Sequence, residues 1–191
     1  RIAASFGSAK AAFYPHQFKP LLKFLENEGQ RLLIADDVGL GKTVEAGLLV
    51  RQYMLDSPEA RALLVVPAPL VAQWRRELVQ RFGLADWLDD FVFVVSFDDL
   101  ASIEARLPTT GILVVDEAHH LSRETRDGAP PLYELLRRHA AQIPRLLLLS
   151  ATPVLSDTAG FLRILHLLDP VAFPLDDLAG VHQRRLLAVQ E

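Results

Sequence analysis

Five short apolar runs constrain the fold of this chain more than any other feature: "RLLIA" (31–35), "RALLVVP" (61–67), "FVFVVS" (91–96), "GILVVDE" (111–117) and "RLLLLSATP" (145–153). A strand with one face in water alternates apolar and polar residues. A run that is apolar throughout is buried on both faces, as in a parallel sheet. Between the runs, apolar residues recur at helical spacing over 17–28, 42–56, 69–82, 131–142 and 157–168. Strands alternating with helices imply right-handed crossovers, so the pattern predicts an α/β fold: a mainly parallel sheet with helices on both faces. The polar segment "SRETRDGAP" (122–130) reads as a mobile surface loop, and no internal repeat interrupts the alternation.

Composition agrees with one globular domain. Half of the 191 residues are hydrophobic and 23% are charged, enough apolar surface for a real core. No apolar run approaches the roughly 18 residues of a membrane span, so no membrane partner is expected. Cysteine is absent, which excludes disulfides and thiolate metal sites within the sequence and favours a cytoplasmic protein. The net charge of −4 argues against a generally basic nucleic-acid binder, but not against a local basic groove. The chain begins at Arg1 instead of Met, and a piece of a longer protein is expected.

"ADDVGLGKTVEAG" (35–47) lies between the first strand and a helix and ends in Gly-Lys-Thr. A phosphate-binding loop reads Gly, four residues, then Gly-Lys-Ser/Thr. Here Asp36 stands where the first Gly belongs. The remaining residues still suit an anion. Gly39 and Gly41 allow tight turns, and the backbone N–H groups of a helix start favour negative charge. Lys42 can reach the β- and γ-phosphates, and Thr43 can ligate Mg²⁺. A glycine-rich turn with a solvated lysine would explain the loop taken alone; the order strand, loop, Gly-Lys-Thr, helix favours ATP. The binding segment is expected to run through Asp36, Asp37, Val38, Gly39, Leu40, Gly41, Lys42, Thr43 and Val44. A dinucleotide fingerprint fails, because its third glycine would fall on Val44.

"GILVVDEAHH" supplies the acids such a loop needs, at the end of another apolar run. Asp116 is expected to hold Mg²⁺ through water, and Glu117 to orient or deprotonate the attacking water. Open α/β sheets bind ligands at the carboxyl ends of their strands, so loop and acids should meet. His119 and His120 invite a zinc reading, but no third ligand is suitably spaced and HExxH is absent. In "LLLLSATP", Ser150 and Thr152 stand where small hydroxyls can bond His119 and sense the γ-phosphate.

Together, "DDVGLGKT", "DEAH" and "SAT" resemble the first RecA-like lobe of a superfamily 2 helicase or translocase, a P-loop NTPase fold. The resemblance is closer to the Swi/Snf-type branch, whose loop commonly reads Asp-Glu-x-Gly-Leu-Gly-Lys-Thr and also lacks the first glycine. "VGLGKTVEAG" is similar to bacterial members such as the RNA-polymerase-recycling ATPase, with Asp37 in place of Glu. The resemblance implies further roles. Gln17 in "FYPHQ" would read the adenine. "VVPAPLVAQWRREL" resembles the motif that touches the nucleic-acid backbone, implying contacts from Pro67, Ala68, Pro69, Leu70, Gln73 and Arg75. "VVSFDDL" resembles the next such motif, implying Ser96. Trp74 reads more readily as a packing residue than as a base-stacking one.

By this resemblance, residues 1–169 form the ATP-binding domain, and 170–191 form an exit segment toward a second RecA-like lobe. No arginine-finger motif follows "SATP", so the expected activity is half of a two-lobe ATPase site in a motor acting on nucleic acid, with double-stranded DNA favoured. A larger complex is compatible with this reading. A strand-separating helicase, a motor subunit of a restriction or phage-defence system, and a non-enzymatic nucleotide-binding module are the alternatives. The paired acids Asp116 and Glu117 argue against the last.

Overall fold

All five apolar runs form strands in the computed structural model, which describes residues 30–35, 41–123, 128–150 and 158–176. They are β1 (Arg31–Ala35), β2 (Ala62–Val66), β3 (Val92–Ser96), β4 (Ile112–Val115) and β5 (Arg145–Ser150). Every pairing is parallel, and the spatial order is β1-β5-β4-β2-β3. The register sets Leu64 of β2 beside Val94 of β3 and Val114 of β4, so the central strands share one apolar layer.

Among the described residues five α-helices accompany the strands: α1 (Lys42–Asp56), α2 (Val71–Gln80), α3 (Leu100–Arg106), α4 (Pro131–His139) and α5 (Thr158–Leu168). Two core clusters lie on opposite faces of the sheet. Ala62, Leu64 and Val66 of β2 pack with Leu48, Leu49 and Met54 of α1 and with Trp74 and Leu78 of α2. Leu63 and Val65 of the same strand point the other way, toward Ile103 of α3, Leu132 and Leu136 of α4, and Ile164 of α5. A strand alternates its side chains between faces, so only an all-apolar run can fill both cores.

α1 is buried along nearly its whole length, from Val44 to Gln52 and again at Met54. Its buried face is mostly apolar, but Glu45, Arg51 and Gln52 are buried with it, Arg51 donating to the Phe82 carbonyl. Its interior Gly47 admits the ring of Phe82, which occupies the space a Cβ would take.

The structure differs from the sequence reading in three places. α3 falls in a stretch assigned to no element; Asp99 caps it, its Oδ1 accepting the Ser102 N–H at 3.0 Å. β4 ends at Val115, so Asp116 and Glu117 stand just past the strand. Of the loop expected over 122–130, Ser122 is buried, its hydroxyl donating to the His119 carbonyl at 2.6 Å. The helical stretch 17–28 lies outside the described residues, as does the part of the exit segment beyond 176.

Candidate nucleotide site

The start of α1 and the end of β4 meet. Gly41, with φ 92 and ψ 20, is the left-handed residue from which α1 begins, and its carbonyl accepts the Glu45 N–H at 3.0 Å. A side chain at that φ would be strained, so glycine is suited to this turn. As the N-cap residue, Gly41 brings no side-chain hydrogen bond to the helix start. A helix start of this kind suits an anion through its first-turn N–H groups and its dipole.

Gly41, Lys42, Thr43, Val44, Asp116 and Glu117 line one cavity of about 330 Å³. α2 provides its opposite wall through Leu70, Gln73, Trp74, Glu77 and Arg81, spaced along one side of that helix and its ends. Arg81 is paired with Glu77 at 3.2 Å. A second cavity of about 320 Å³ lies against Phe97, Leu100, His120 and Pro131. Its walls are mostly apolar and carry none of the phosphate-loop or acid residues, so the chemistry belongs to the first.

Asp116 is 8% exposed. Its Oδ2 accepts the Trp74 indole N–H at 2.8 Å, and its Oδ1 accepts the Glu117 N–H at 2.8 Å. Burial pushes its carboxyl above the ordinary aspartate value, while the Trp74 and Glu117 donors and nearby Lys42 pull the other way. Glu117 has φ 49 and ψ 44, a left-handed conformation uncommon for a residue with a side chain. Its Oε2 lies 3.2 Å from His119 Nδ1. Neither atom has a well-aligned hydrogen bond, so the contact is an ion pair only when the imidazole is protonated. Left-handed backbone in a non-glycine residue costs on the order of 1–3 kcal/mol and often marks a functional site.

Thr43 and Asp116 are hard oxygen donors on the same cavity, the donor chemistry that suits Mg²⁺. Among the described residues, no group of three His, Cys, Asp or Glu side chains could hold a metal by itself. A metal here would therefore share its coordination with phosphate and water.

The SNF2-related domain family matches residues 16–93. The RNA polymerase-associated protein RapA of Sodalis glossinidius is 36% identical over 188 residues, covering 86% of this chain and 19% of the relative. RapA of Serratia proteamaculans is 33% identical over 202 residues, covering 89% of this chain and 20% of the relative. This chain carries an SNF2-related domain. It spans about a fifth of the length of these relatives. Its fold is similar to the Sulfolobus solfataricus SWI2/SNF2 ATPase core in complex with dsDNA, with a TM-score of 0.65 at 18% identity over 85% of this chain and 37% of that one. The UvsW helicase of bacteriophage T4 is also similar, with a TM-score of 0.58 at 18% identity over 75% of this chain and 55% of that one. The parallel sheet covered on both faces is thus the RecA-like arrangement of this family.

The cavity gathers Lys42, Thr43, Val44, Asp116 and Glu117. Gln17, Asp36, Asp37, Val38, Gly39, Leu40 and Thr152 lie outside the described residues. Ser150 is buried at the end of β5. Gln73 stands in the wall of the same cavity as Lys42 and Asp116, although the motif resemblance assigns it to the nucleic acid. Ala68–Leu70 form a 3₁₀ turn with Ala68 and Pro69 exposed. Its amides are largely committed: Pro69 has none, Leu70 donates to the Pro67 carbonyl and Val71 to the Ala68 carbonyl. Arg75 is paired at the surface with Asp89, its two guanidinium nitrogens 2.7 and 2.6 Å from the carboxylate oxygens. Ser96 ends β3, with its hydroxyl 3.5 Å from Asp98.

The sequence reading missed the bond from Trp74 to Asp116 and the lining by Glu77 and Arg81. The spacing of Leu70, Gln73, Trp74, Glu77 and Arg81 already places them on one side of a helix. Nothing in the sequence says which element that side faces.

Proposed function

We propose that this lobe forms one half of an ATP-hydrolysing site in a longer nucleic-acid-dependent motor, a double-stranded-DNA translocase or remodeller. One observation carries the reading: Lys42 and Thr43, at the start of α1, share a cavity with Asp116 and Glu117, 74 positions downstream from each to each. A phosphate chain seated at the start of α1 would accept N–H donors of the first turn and the Lys42 ammonium. Residues 36–40 would complete the loop. The Thr43 hydroxyl and the Asp116 carboxylate, the latter through water, would hold Mg²⁺, which when bound offsets phosphate charge. Glu117 would accept a proton from the attacking water and orient it toward the γ-phosphate. Gln17 would present one donor and one acceptor to the adenine edge.

His119, beside Glu117, and Ser150 and Thr152 would relate the phosphate state to the exit segment. Pro67–Leu70, Arg75 and Ser96, at the carboxyl ends of β2 and β3 or just beyond, would meet the nucleic-acid backbone, with Gln73 between that contact and the nucleotide. Backbone contacts make such binding sensitive to salt and indifferent to sequence. No described helix is long and apolar enough to cross a membrane, and we place the motor in the cytoplasm, where a larger complex is compatible with its relatives.

The second lobe would supply the transition-state arginines. Among the described residues, the cavity's guanidinium is that of Arg81, already paired with Glu77. Arginine fingers are typically worth ~10³–10⁵ in the rate of phosphoryl transfer. The test is ATP turnover by the full-length protein and by residues 1–191, each with and without duplex DNA. The full-length protein is expected to turn over ATP and to be stimulated by DNA, the 191-residue lobe to show negligible turnover. Glu117→Gln in the full-length protein should still bind ATP while turnover falls by about 10²–10⁴-fold, the usual worth of a positioned acid or base. DNA-stimulated turnover by the isolated lobe, or an active Glu117→Gln variant, would contradict the proposal.

A further inference from the structure

We infer that Trp74 is the positioning residue for Asp116, its indole N–H tying the metal-binding carboxylate to the helix that begins at the exposed Ala68–Leu70 turn. The inference rests on the reading of the cavity as a Mg²⁺–nucleotide site. Trp74 is 2% exposed, and its ring packs in the core between α2 and the sheet. Its N–H reaches Asp116 Oδ2 at 2.8 Å, while the Glu117 N–H reaches Oδ1 at the same distance. Each carboxylate oxygen thus accepts one bond from the chain. A carboxylate has about four acceptor positions, so a lone pair on each oxygen remains for a metal's water shell. Two donors, one on each oxygen, fix the plane of the group.

A buried tryptophan needs a partner for its N–H, and a main-chain carbonyl would serve. Here the partner is the one acid assigned to the metal. The indole is donor-only and cannot reverse its role, so the Asp116 oxygen it meets is fixed as an acceptor. The helix carrying Trp74 also has a second commitment. Its leading turn, with Ala68 and Pro69 at the surface, is the segment proposed to meet the nucleic-acid backbone. Leu70, Gln73, Glu77 and Arg81 from the same element line the nucleotide cavity. One rigid helix therefore joins the nucleic-acid turn to the Asp116 oxygen, a path of a single hydrogen bond by which nucleic acid can alter the metal site.

The experiment uses the full-length protein with Trp74→Phe, which keeps an aromatic ring and removes the N–H. Calorimetric titration of ADP over a range of Mg²⁺ concentrations is expected to show the half-saturating Mg²⁺ rising about tenfold or more, the usual effect of removing a partner that orients a metal ligand. DNA stimulation of turnover should shrink in the same variant. In an Asp116→Asn background, Trp74→Phe should add nothing to the Mg²⁺ dependence, because the tryptophan acts through that carboxylate. Unchanged Mg²⁺ dependence and DNA stimulation, or effects that add to those of Asp116→Asn, would overturn the inference. If Trp74→Phe fails to fold, placing β-(3-benzothienyl)alanine at position 74 keeps the bicyclic shape, removes only the N–H and decides between the same two outcomes. Lys42→Ala separates the two levels of the argument. Equal ADP affinity in that variant and in wild type would dispose of the nucleotide site itself, whereas lost affinity there beside a silent Trp74→Phe would dispose of this inference alone.

Discussion

At the scale of single residues, the acid turn holds two features that folding alone disfavours: a buried carboxylate at Asp116 and left-handed backbone at Glu117. Next to them, His120 lies against Phe97, ring centroids 5.9 Å apart, and against His119 at 4.4 Å. Burial lowers its imidazole below the usual 6.5, with His119 and Arg123 adding to the effect and Glu117 opposing it. The sign follows from linkage. Above the unfolded value both states are neutral and the His120 packing contributes fully; as pH falls through the unfolded value toward the lower folded one, the unfolded chain binds the proton first and stability is lost. Thermal unfolding midpoints should therefore fall on acidification below about 6.5, and His120→Phe should flatten that slope. An identical slope in the variant would assign the effect to other groups. Lys42, Thr43, Asp116 and Glu117 were legible in the sequence because each motif is contiguous and its chemistry needs adjacent residues. The Trp74–Asp116 bond was not, because it joins positions 42 apart that meet only through the sheet order.

The elements carry their own evidence of how closely the site is packed. α1 begins at the Gly41 turn and then passes under Phe82, which is fully buried and fills the space beside Gly47. Alanine is the better helix former by about 1 kcal/mol in a helix interior. Overpacking a filled core costs about 1–3 kcal/mol, so the packing term wins. Gly47→Ala should lower the unfolding midpoint, and adding Phe82→Leu should recover part of the loss. A variant as stable as wild type would show that Phe82 has room to move. The five strands were legible because a run apolar on both faces has few other uses in a chain of this size. α3 is only 7 residues long, too short for a helical period to stand out from the loops around it. Its signal was present in the Asp99 cap and in Leu100, Ile103 and Leu107 at helical spacing.

Across the whole molecule, the strand order β1-β5-β4-β2-β3 decides what can meet. β1 and β4 flank β5, so the ends of all three face a common edge where the Gly41 turn, the acids and Ser150 gather. Far along the chain, α5 is tied back to the acid turn: Arg163 donates to the Ser122 carbonyl at 2.9 Å, and the Tyr133 hydroxyl donates to the Arg163 carbonyl at 3.3 Å. At the opposite edge, Arg31 donates to the carbonyls of Ala140 at 2.6 Å and Ile143 at 3.0 Å, joining β1 to the turn that follows α4. Strand order depends on crossovers whose lengths the sequence shows but whose destinations it does not, which is why the sheet was legible and its order was not. The proposed phosphate site rests on this order, which brings Lys42 and Thr43 to one cavity with Asp116 and Glu117. Calorimetric titration of the protein with Mg²⁺–ADP tests it most directly. Wild type should bind, and Lys42→Ala should bind about 10- to 100-fold more weakly, as expected for a lost charged hydrogen bond of about 1.5–3 kcal/mol. Equal affinity in the two proteins would contradict it.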